Sequence, residues 1–531
     1  MTLIHRSTDP ARRTLLKTLS LVPALGVLNA CATSSKEDAG EALDSLLVEA
    51  SVADLHQGMR SGAFTAQQIV TAYVARIEQL DRAGPALSSV IMINPDAMAI
   101  ARALDLERMS KGMRGPLHGI PILLKDNLDT DDEMPTTAGS RALLGSRPTQ
   151  DAAVVTRLRA AGAIILGKAN LSEWSNYRSN DPTDGWSARG GQTKNPYSLC
   201  ATPFGSSSGS AVSVAANLTT LSIGTETNGS IIAPAAVSGV VGLKPTVGLT
   251  SRTGVIPISH NQDSVGPLAR TVTDAALLLT AMTGPDPRDP ATLEHLGLHG
   301  EEYSQFLDRK GLQGMRIGYV GGATPIPTEI QAVLAAEGAT LVEINQADMG
   351  LFMTGPTDEG LVLSTDFKHD INRYLATRVR GTDRRYRHIP TMRTLDDLIA
   401  FNISDPAERL DLHDQDTFLE ANARPPITDP SYLRQLDHNR RSSRATIDGL
   451  LARHNLNAFI GGMFTLFPSA MAGYPIITLP FHSADQGDMP DSITLSGAAL
   501  SEPVLFKLAY ALEQALKEKG LGRRPPRYLP C

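Results

Sequence analysis

The stretch that most constrains this chain runs from Gly205 to Ser230. It opens on Gly205-Ser206-Ser207-Ser208-Gly209-Ser210, passes through two apolar runs, Ala211 to Ala216 and Leu218 to Ile223, and closes on Gly224-Thr225-Glu226-Thr227-Asn228-Gly229-Ser230. The order reads as loop, helix, strand and glycine turn, with serines at both turns. Small residues ahead of the helix let backbone N–H groups crowd one point, and the Asn-Gly-Ser turn can do the same from the other side. Taken alone, the first six residues match a flexible Gly/Ser linker. The apolar sequence that follows at once, and the continuing core at Val237 to Pro245, place them inside a folded unit instead, where a loop poor in packing groups is a site rather than a spacer.

The remainder alternates strand and helix. Helical periodicity runs through Val52 to Arg60 and Ala66 to Leu80, with Thr65 as a cap, and the spacing predicts further helices at 96–109, 151–161, 272–282, 330–337, 395–401, 433–454 and 501–518, the last capped by Ser501. Strands are expected at 89–93, 119–125, 163–166, 315–320, 340–344, 458–460 and 476–479. This alternation points to an α/β fold built on one sheet covered on both faces. Residues 350–423 are charged, with short helical stretches, and read as a peripheral helical layer.

At 531 residues, 42% of them hydrophobic, and a formal net charge of −7, the chain can bury a large core and is a poor partner for nucleic acid. Cys31, Cys200 and Cys531 are too few and too scattered for a disulfide framework or a zinc site, and neither a metal cluster nor a cofactor is expected. The N-terminus stands apart. Arg12-Arg13 ahead of Leu15-Leu16-Lys17 and the apolar run Leu19 to Leu28 make residues 1–31 an export signal of twin-arginine type, ending in a lipoprotein-like box with Cys31 as a membrane tether. Ordinary cleavage after a small residue is the alternative. Residues 32–48 read as a polar tether to a domain spanning 49–531, in a protein exported to the periplasm or anchored to a membrane.

A serine hydroxyl is a weak nucleophile until a base takes its proton. Gly205 to Gly209 fits G-x-S-x-G, with Ser207 as nucleophile and a late histidine such as His482 as base, but that motif needs a strand directly before it and Pro203 breaks one. The other base is lysine. With an ordinary pKa of about 10.4, only about 0.04% of a free amine is neutral at pH 7, and lowering that pKa to about 7 costs roughly 4 to 5 kcal/mol. Burial at the end of an apolar strand supplies this. Lys125, Lys168 and Lys244 all occupy such positions, and spacing does not choose among them.

The order and spacing of Gly119 to Asn127, the serine-glycine loop, Gly224 to Ser230, and Gly239 to Thr246 with Gly254 to Pro257 resemble the amidase signature family from about residue 50 onward. Asn170 to Trp174 and Gly185 to Thr193 are most similar to its bacterial peptide amidases, which remove the C-terminal amide from peptides. The resemblance implies a single large α/β domain with a mixed central sheet sandwiched between helical layers. It also implies a Ser-Ser-Lys triad of Lys125, Ser206 and Ser230, with Ser230 as nucleophile and Ser206, behind a cis Gly205–Ser206 bond, as relay. It implies an oxyanion hole from the backbone N–H groups of Thr227, Asn228, Gly229 and Ser230. A peptide or small-molecule amide is then the substrate, and ammonia leaves from an acyl-enzyme in a monomer or homodimer.

Phe204, Ser208, Asn228 and Ile232 depart from the usual residues, as do the short segment between Ile460 and Pro475 and Pro490 to Leu495, which puts substrate shape in question more than catalysis. Three other functions fit less of the sequence. They are a general aliphatic or aryl amidase, the amidase subunit that feeds ammonia to misacylated tRNA, and a non-catalytic tethered binding protein on the same fold.

Overall fold

The computed structural model of the protein describes residues 47–298, 300–320, 326–345, 357–482 and 489–531. The chain divides after Val48 into two units. Of the first, only the last two residues are described, so the export signal, Cys31 and nearly all of the tether lie outside the described residues, as do residues 350–356 of the charged segment.

The second unit is built on one sheet of eleven strands. In chain order these are β1 (Val90–Ile93), β2 (Pro121–Lys125), β3 (Ile164–Ala169), β4 (Leu221–Glu226), β5 (Val241–Lys244), β6 (Ser264–Ala269), β7 (Arg316–Val320), β8 (Thr340–Ile344), β9 (Ala458–Ile460), β10 (Ile476–Phe481) and β11 (Asp491–Ser496). In space the order is β1-β3-β2-β4-β6-β5-β10-β11-β9-β7-β8. β3, β2 and β4 run parallel, with Leu124 opposite Lys168 on one side and Ile223 on the other, and β4 pairs antiparallel with β6. The sheet is therefore mixed. Every residue of β2, β3 and β4 is buried, as expected for parallel strands covered on both faces. The helices Ser208–Ala215 and Ile232–Val237 share a core with β6 through Ala211, Val214, Ile231, Ala235 and Leu268.

Most expected elements form near their expected ends, and the differences have local causes. The helix from Ala66 is capped by Thr65 with Gln68 in a reciprocal capping box, but beyond Arg76 it widens into a π-helix over Ile77–Arg82. Asp81 at its end accepts from the backbone N–H of Ser89 at 2.7 Å and of Val90 at 3.0 Å, tying the helix to the start of β1. Ser501 does not cap the last helix with its side chain, because its hydroxyl donates to the carbonyl of Ala498 at 2.7 Å. β6 and β11 have no counterpart among the expected strands. Both pair antiparallel with their neighbours, β6 with β4 and β5, and β11 with β10 and β9.

Too few for a disulfide framework, the cysteines still form one bridge, which the path of the C-terminus makes possible. Tyr528 N–H donates to Pro196 O at 3.0 Å and Leu199 N–H to Leu529 O at 2.9 Å, so the last residues lie along the segment holding Cys200. Cys200 and Cys531, 331 residues apart, form a disulfide with their Cα atoms 5.3 Å apart.

The charged segment is more than a surface layer. Its helices Glu359–Thr377, Leu395–Ser404 and Asp416–Ala423 enclose a core of their own, in which Phe367, Ile371, Leu395, Leu398 and Phe418 meet Leu143, Leu171 and Trp174. Phe418 lies edge-on to Trp174 at 5.6 Å and stacks on Phe367 at 5.2 Å. Beside this core the Arg178 guanidinium bonds Glu173 and Glu408, all three side chains at 4% exposure or less. Burial and the neighbouring Glu408 push Glu173 up, and Arg178 is the cation that opposes them. Removing one member of a buried ionic cluster leaves uncompensated charge. Arg178→Met should therefore destabilise the protein by about 3 to 5 kcal/mol, read as a lower urea midpoint, and an unchanged midpoint would show that the cluster contributes nothing net.

Candidate active site

β2 ends on Lys125 and β4 on Thr225 and Glu226, side by side at the C-terminal edge of the parallel strands, where such sheets expose sites. The Lys125 side chain is fully buried. Its Nζ lies 2.8 Å from Ser206 Oγ, 2.9 Å from Thr225 Oγ1 and 3.2 Å from Thr225 O. Asn127 Nδ2 donates to the same Thr225 hydroxyl at 2.9 Å and fixes it from the other side. Burial lowers the Lys125 pKa to about 7, and the carboxylates of Asp263 and Glu226 oppose the shift only partly.

The structure separates the three lysines. Lys168 Nζ is spent on Leu128 O and on Thr136 Oγ1 at 2.9 Å, and Lys244 Nζ on Tyr474 O at 2.9 Å and Pro245 O at 3.2 Å. Both are buried and both have lowered pKa values, Lys244 to about 8, yet neither bonds a serine among the described residues. Desolvation alone does not make a base useful, because the amine also needs a hydroxyl within reach.

The serine loop is sorted the same way. Ser207 Oγ donates to Thr225 O at 3.1 Å, Ser210 Oγ to Ile223 O at 3.0 Å, and Ser208 Oγ to Phe204 O. Ser207 is thereby excluded as the nucleophile of an elbow, and His482 lies buried with its ring 5.8 Å from that of Tyr197. Ser206 alone of the four bonds the lysine. The Gly205–Ser206 bond is cis. Ser206 O accepts from Ser172 N–H at 3.1 Å, and Ser207 N–H donates to Ser230 O at 3.1 Å, so the loop is fastened to the second serine turn.

That turn is held by carboxylates. Glu226 accepts from the N–H groups of Ile231 at 2.7 Å and Ile232 at 2.9 Å, folding the chain back just after Ser230. Asp263 accepts from Thr227 Oγ1 at 2.6 Å while its other oxygen takes the N–H groups of Ile258 and Ser259. Gly229 sits at φ +80°, a left-handed conformation that opens the turn. The backbone N–H groups of Asn228, Gly229 and Ser230 donate to no other group among the described residues. Buried N–H groups are nearly always paired, so three adjacent idle donors in one turn form a ready receptor for an oxygen anion.

Ser206, Thr225, Thr227 and Ser230 line one small cavity with Asn127, Ser175, Val255, Ile256, Ile258 and Asp263. A larger cavity of about 960 Å³ includes Arg252, His260 and Arg440 in its walls and shares only Val255 and Asp263 with the small one. Its walls contain neither Ser206 nor Ser230, so the two serines open to the smaller space, and Lys125 reaches it through Ser206. Lys125, Ser206 and the turn Thr227 to Ser230, all singled out from the sequence, thus gather at one end of β2 and β4. Thr225, Asn127, Asp263 and Glu226 were given no role by sequence. Thr225 and Asn127 flank assigned residues closely enough to be noticed, whereas Asp263 reaches the site from the start of β6 and has no local signal.

Comparison with known proteins agrees with this geometry. Residues 68–420 match the Amidase family model. A probable amidase of Arabidopsis thaliana is 42% identical over 488 residues, covering 91% of this chain and 92% of the relative. A putative amidase of Schizosaccharomyces pombe is 38% identical over 89% of this chain and 86% of the relative. The structure of native peptide amidase from Stenotrophomonas maltophilia, at 44% identity and a TM-score of 0.82, covers 90% of this chain and 99% of that one. Fold and site together define a hydrolase acting on amides. The chain belongs to the amidase signature family.

Gly205 shows how closely the loop is fitted, since a Cβ there would sit 2.2 Å from Ser172 Oγ and 2.8 Å from Asp184 Oδ1. Gly205→Ala should lower amidase turnover at least about tenfold, a loss of ~1.4 kcal/mol in transition-state stabilisation, while leaving the fold in place by circular dichroism. Full activity in that variant would mean that the loop has slack.

Proposed function

We propose that this protein hydrolyses the C-terminal carboxamide of peptides through an acyl-enzyme, with Lys125, Ser206 and Ser230 as a relay. One observation carries the reading. A neutral lysine has two N–H bonds and one lone pair, and two of the three neighbours of Lys125 Nζ are acceptors on Thr225, leaving the lone pair for the hydroxyl of Ser206. Ser230 Oγ attacks the amide carbon while its proton passes to Ser206 Oγ and that of Ser206 to Lys125 Nζ. The carbonyl oxygen becomes an anion in the turn Thr227 to Ser230, bound by the backbone N–H groups of Thr227, Asn228, Gly229 and Ser230. The C–N bond then breaks as the relay returns a proton to nitrogen, ammonia leaves, and water cleaves the ester by the same path in reverse.

Similarity to a peptide amidase supports the peptide substrate over general aliphatic or aryl amides. Ser230→Ala should reduce turnover by at least about a thousandfold with an unchanged melting temperature, since removing the nucleophile of such a relay costs orders of magnitude. Unchanged hydrolysis would remove the assignment. Because burial sets the lysine pKa at about 7, the amine is protonated and useless as a base below that pH. kcat/KM should therefore rise about tenfold per pH unit up to about pH 7 and level off above about pH 8. A panel of peptide amides, free amino-acid amides and aryl amides decides the substrate class, with preference for the first expected.

We also propose that the protein is exported by the Arg12-Arg13 signal and matures outside the cytoplasm, as a periplasmic or Cys31-anchored protein. The Cys200–Cys531 disulfide supports this, because such bonds form and persist mainly in oxidising compartments. Osmotic-shock fractionation should recover the wild type outside the inner membrane or attached to a membrane, and Arg12→Lys with Arg13→Lys should hold it in the cytoplasm. Equal distribution of the two would end the proposal.

A further inference from the structure

Glu359 opens the helix Glu359–Thr377, 131 residues along the chain from Asn228 in the nucleophile turn, yet its carboxylate ends beside it. Asn228 Nδ2 lies 3.0 Å from both Glu359 oxygens. Gln262 Nε2 donates to Glu359 Oε1 at 2.7 Å and reaches toward Thr227 O at 3.5 Å. Asn228 carries one of the idle N–H groups of the turn, and Gln262 is buried and adjoins Asp263, which already grips Thr227. Two amides and one carboxylate thus close a ring between the helical layer and the turn. Among the described residues, the acid accepts from these neutral N–H groups and pairs with no cation.

We propose that Glu359 is a positioning residue that, through Asn228 and Gln262, fixes the Thr227–Ser230 turn in the conformation that aims its N–H groups at the developing oxyanion. The inference rests on the assignment of Ser230 as nucleophile. Nothing in the relay needs a carboxylate at this place, since proton transfer runs from Ser230 through Ser206 to Lys125. What the place needs is an acceptor that two amide groups can share. An oxyanion hole works by being already arranged when charge appears, so a turn free to tilt loses rate rather than substrate affinity.

The donors and acceptors of the ring make this testable by exchange. In Glu359→Gln the Asn228 and Gln262 NH2 groups compete for the one oxygen left, so either two NH2 groups face each other or the Asn228 amide turns over to accept through Oδ1 and gives up its wild-type orientation. In Asn228→Asp two carboxylates face each other with only Gln262 between them. In the double variant the amide introduced at position 359 would donate to the carboxylate introduced at position 228 and accept from Gln262, so that every group is satisfied and the net charge of the wild type is kept.

The experiment measures kcat and KM for the four proteins on the amide hydrolysed fastest in the panel, with melting temperatures and a Ser230→Ala control. Each single variant should lose at least about tenfold in kcat, with KM within about twofold of wild type, and the double variant should recover to within about threefold of wild type. Losses that multiply in the double variant, or single variants with wild-type kcat, would overturn the proposal, as would losses confined to KM. If the singles melt markedly lower, the double variant still decides: recovered melting without recovered kcat leaves the ring a structural brace only and rejects a positioning role. Activity in Ser230→Ala would instead remove the underlying nucleophile assignment, so the two failures are distinguishable.

Discussion

The structure depends on a lysine amine taken out of water and given no carboxylate to pair with directly. Lys125 is fully buried at the end of β2, and its three polar neighbours belong to Ser206 and Thr225. An ion pair there would stabilise the protonated amine and remove it as a base near neutral pH. Asp263 and Glu226 are near enough to act on the lysine, but both Asp263 oxygens and Glu226 Oε2 are committed to backbone N–H groups and to the Thr227 hydroxyl, and Glu226 Oε1 has no hydrogen-bond partner among the described residues. The fold keeps the negative charge close, which tempers the cost of burial, while directing the carboxylates at the turn.

The same acidic residues therefore serve two ends. Glu226 follows Thr225 on its strand and bends the chain back after Ser230, and Asp263 stands at the head of the neighbouring antiparallel strand. With the loop of Ser206 tied to Ser230 through the Ser207 N–H, both serine turns share one rigid frame. The proposed relay, which would move two protons through three side chains, needs such a frame, because small displacements at each hydrogen bond compound along the path. The helical segment between residues 357 and 423 joins that frame from far along the chain. Its aromatic core and the Arg178 cluster anchor it to residues 138–178, and Glu359 brings it to the turn Thr227 to Ser230.

Much of this is legible in the sequence. β2, β3 and β5 announce themselves as apolar runs with a lysine at or next to the end, and the glycine-serine loop as a stretch with nothing to pack. Periodicity places the helices at 52–61, 272–282 and 430–454 within a few residues of where they lie. β6 and β11 escape it because their own residues do not read as apolar runs: Ser264 to Ala269 carries Gly266-Pro267 within it, and Asp491 to Ser496 is half polar, although it pairs with the strand just before it, residues 476–481. The disulfide escapes for another reason, since a spacing of 331 residues says nothing until the C-terminus is seen beside residues 196–200.

What the sequence determined by itself is the local chemistry: a hydroxyl-rich loop, a glycine turn that crowds backbone donors, and lysines at the ends of apolar strands, where burial lowers the pKa of the amine. These follow from side-chain size, backbone freedom and hydropathy over a few residues. What only the tertiary structure decided is which lysine meets which serine. Lys125, Lys168 and Lys244 are chemically alike and equally buried, and they differ only in what the neighbouring strands place within 3 Å of each amine. That distance is set by sheet order and register, which arise from packing across the whole domain and leave no mark on any single segment.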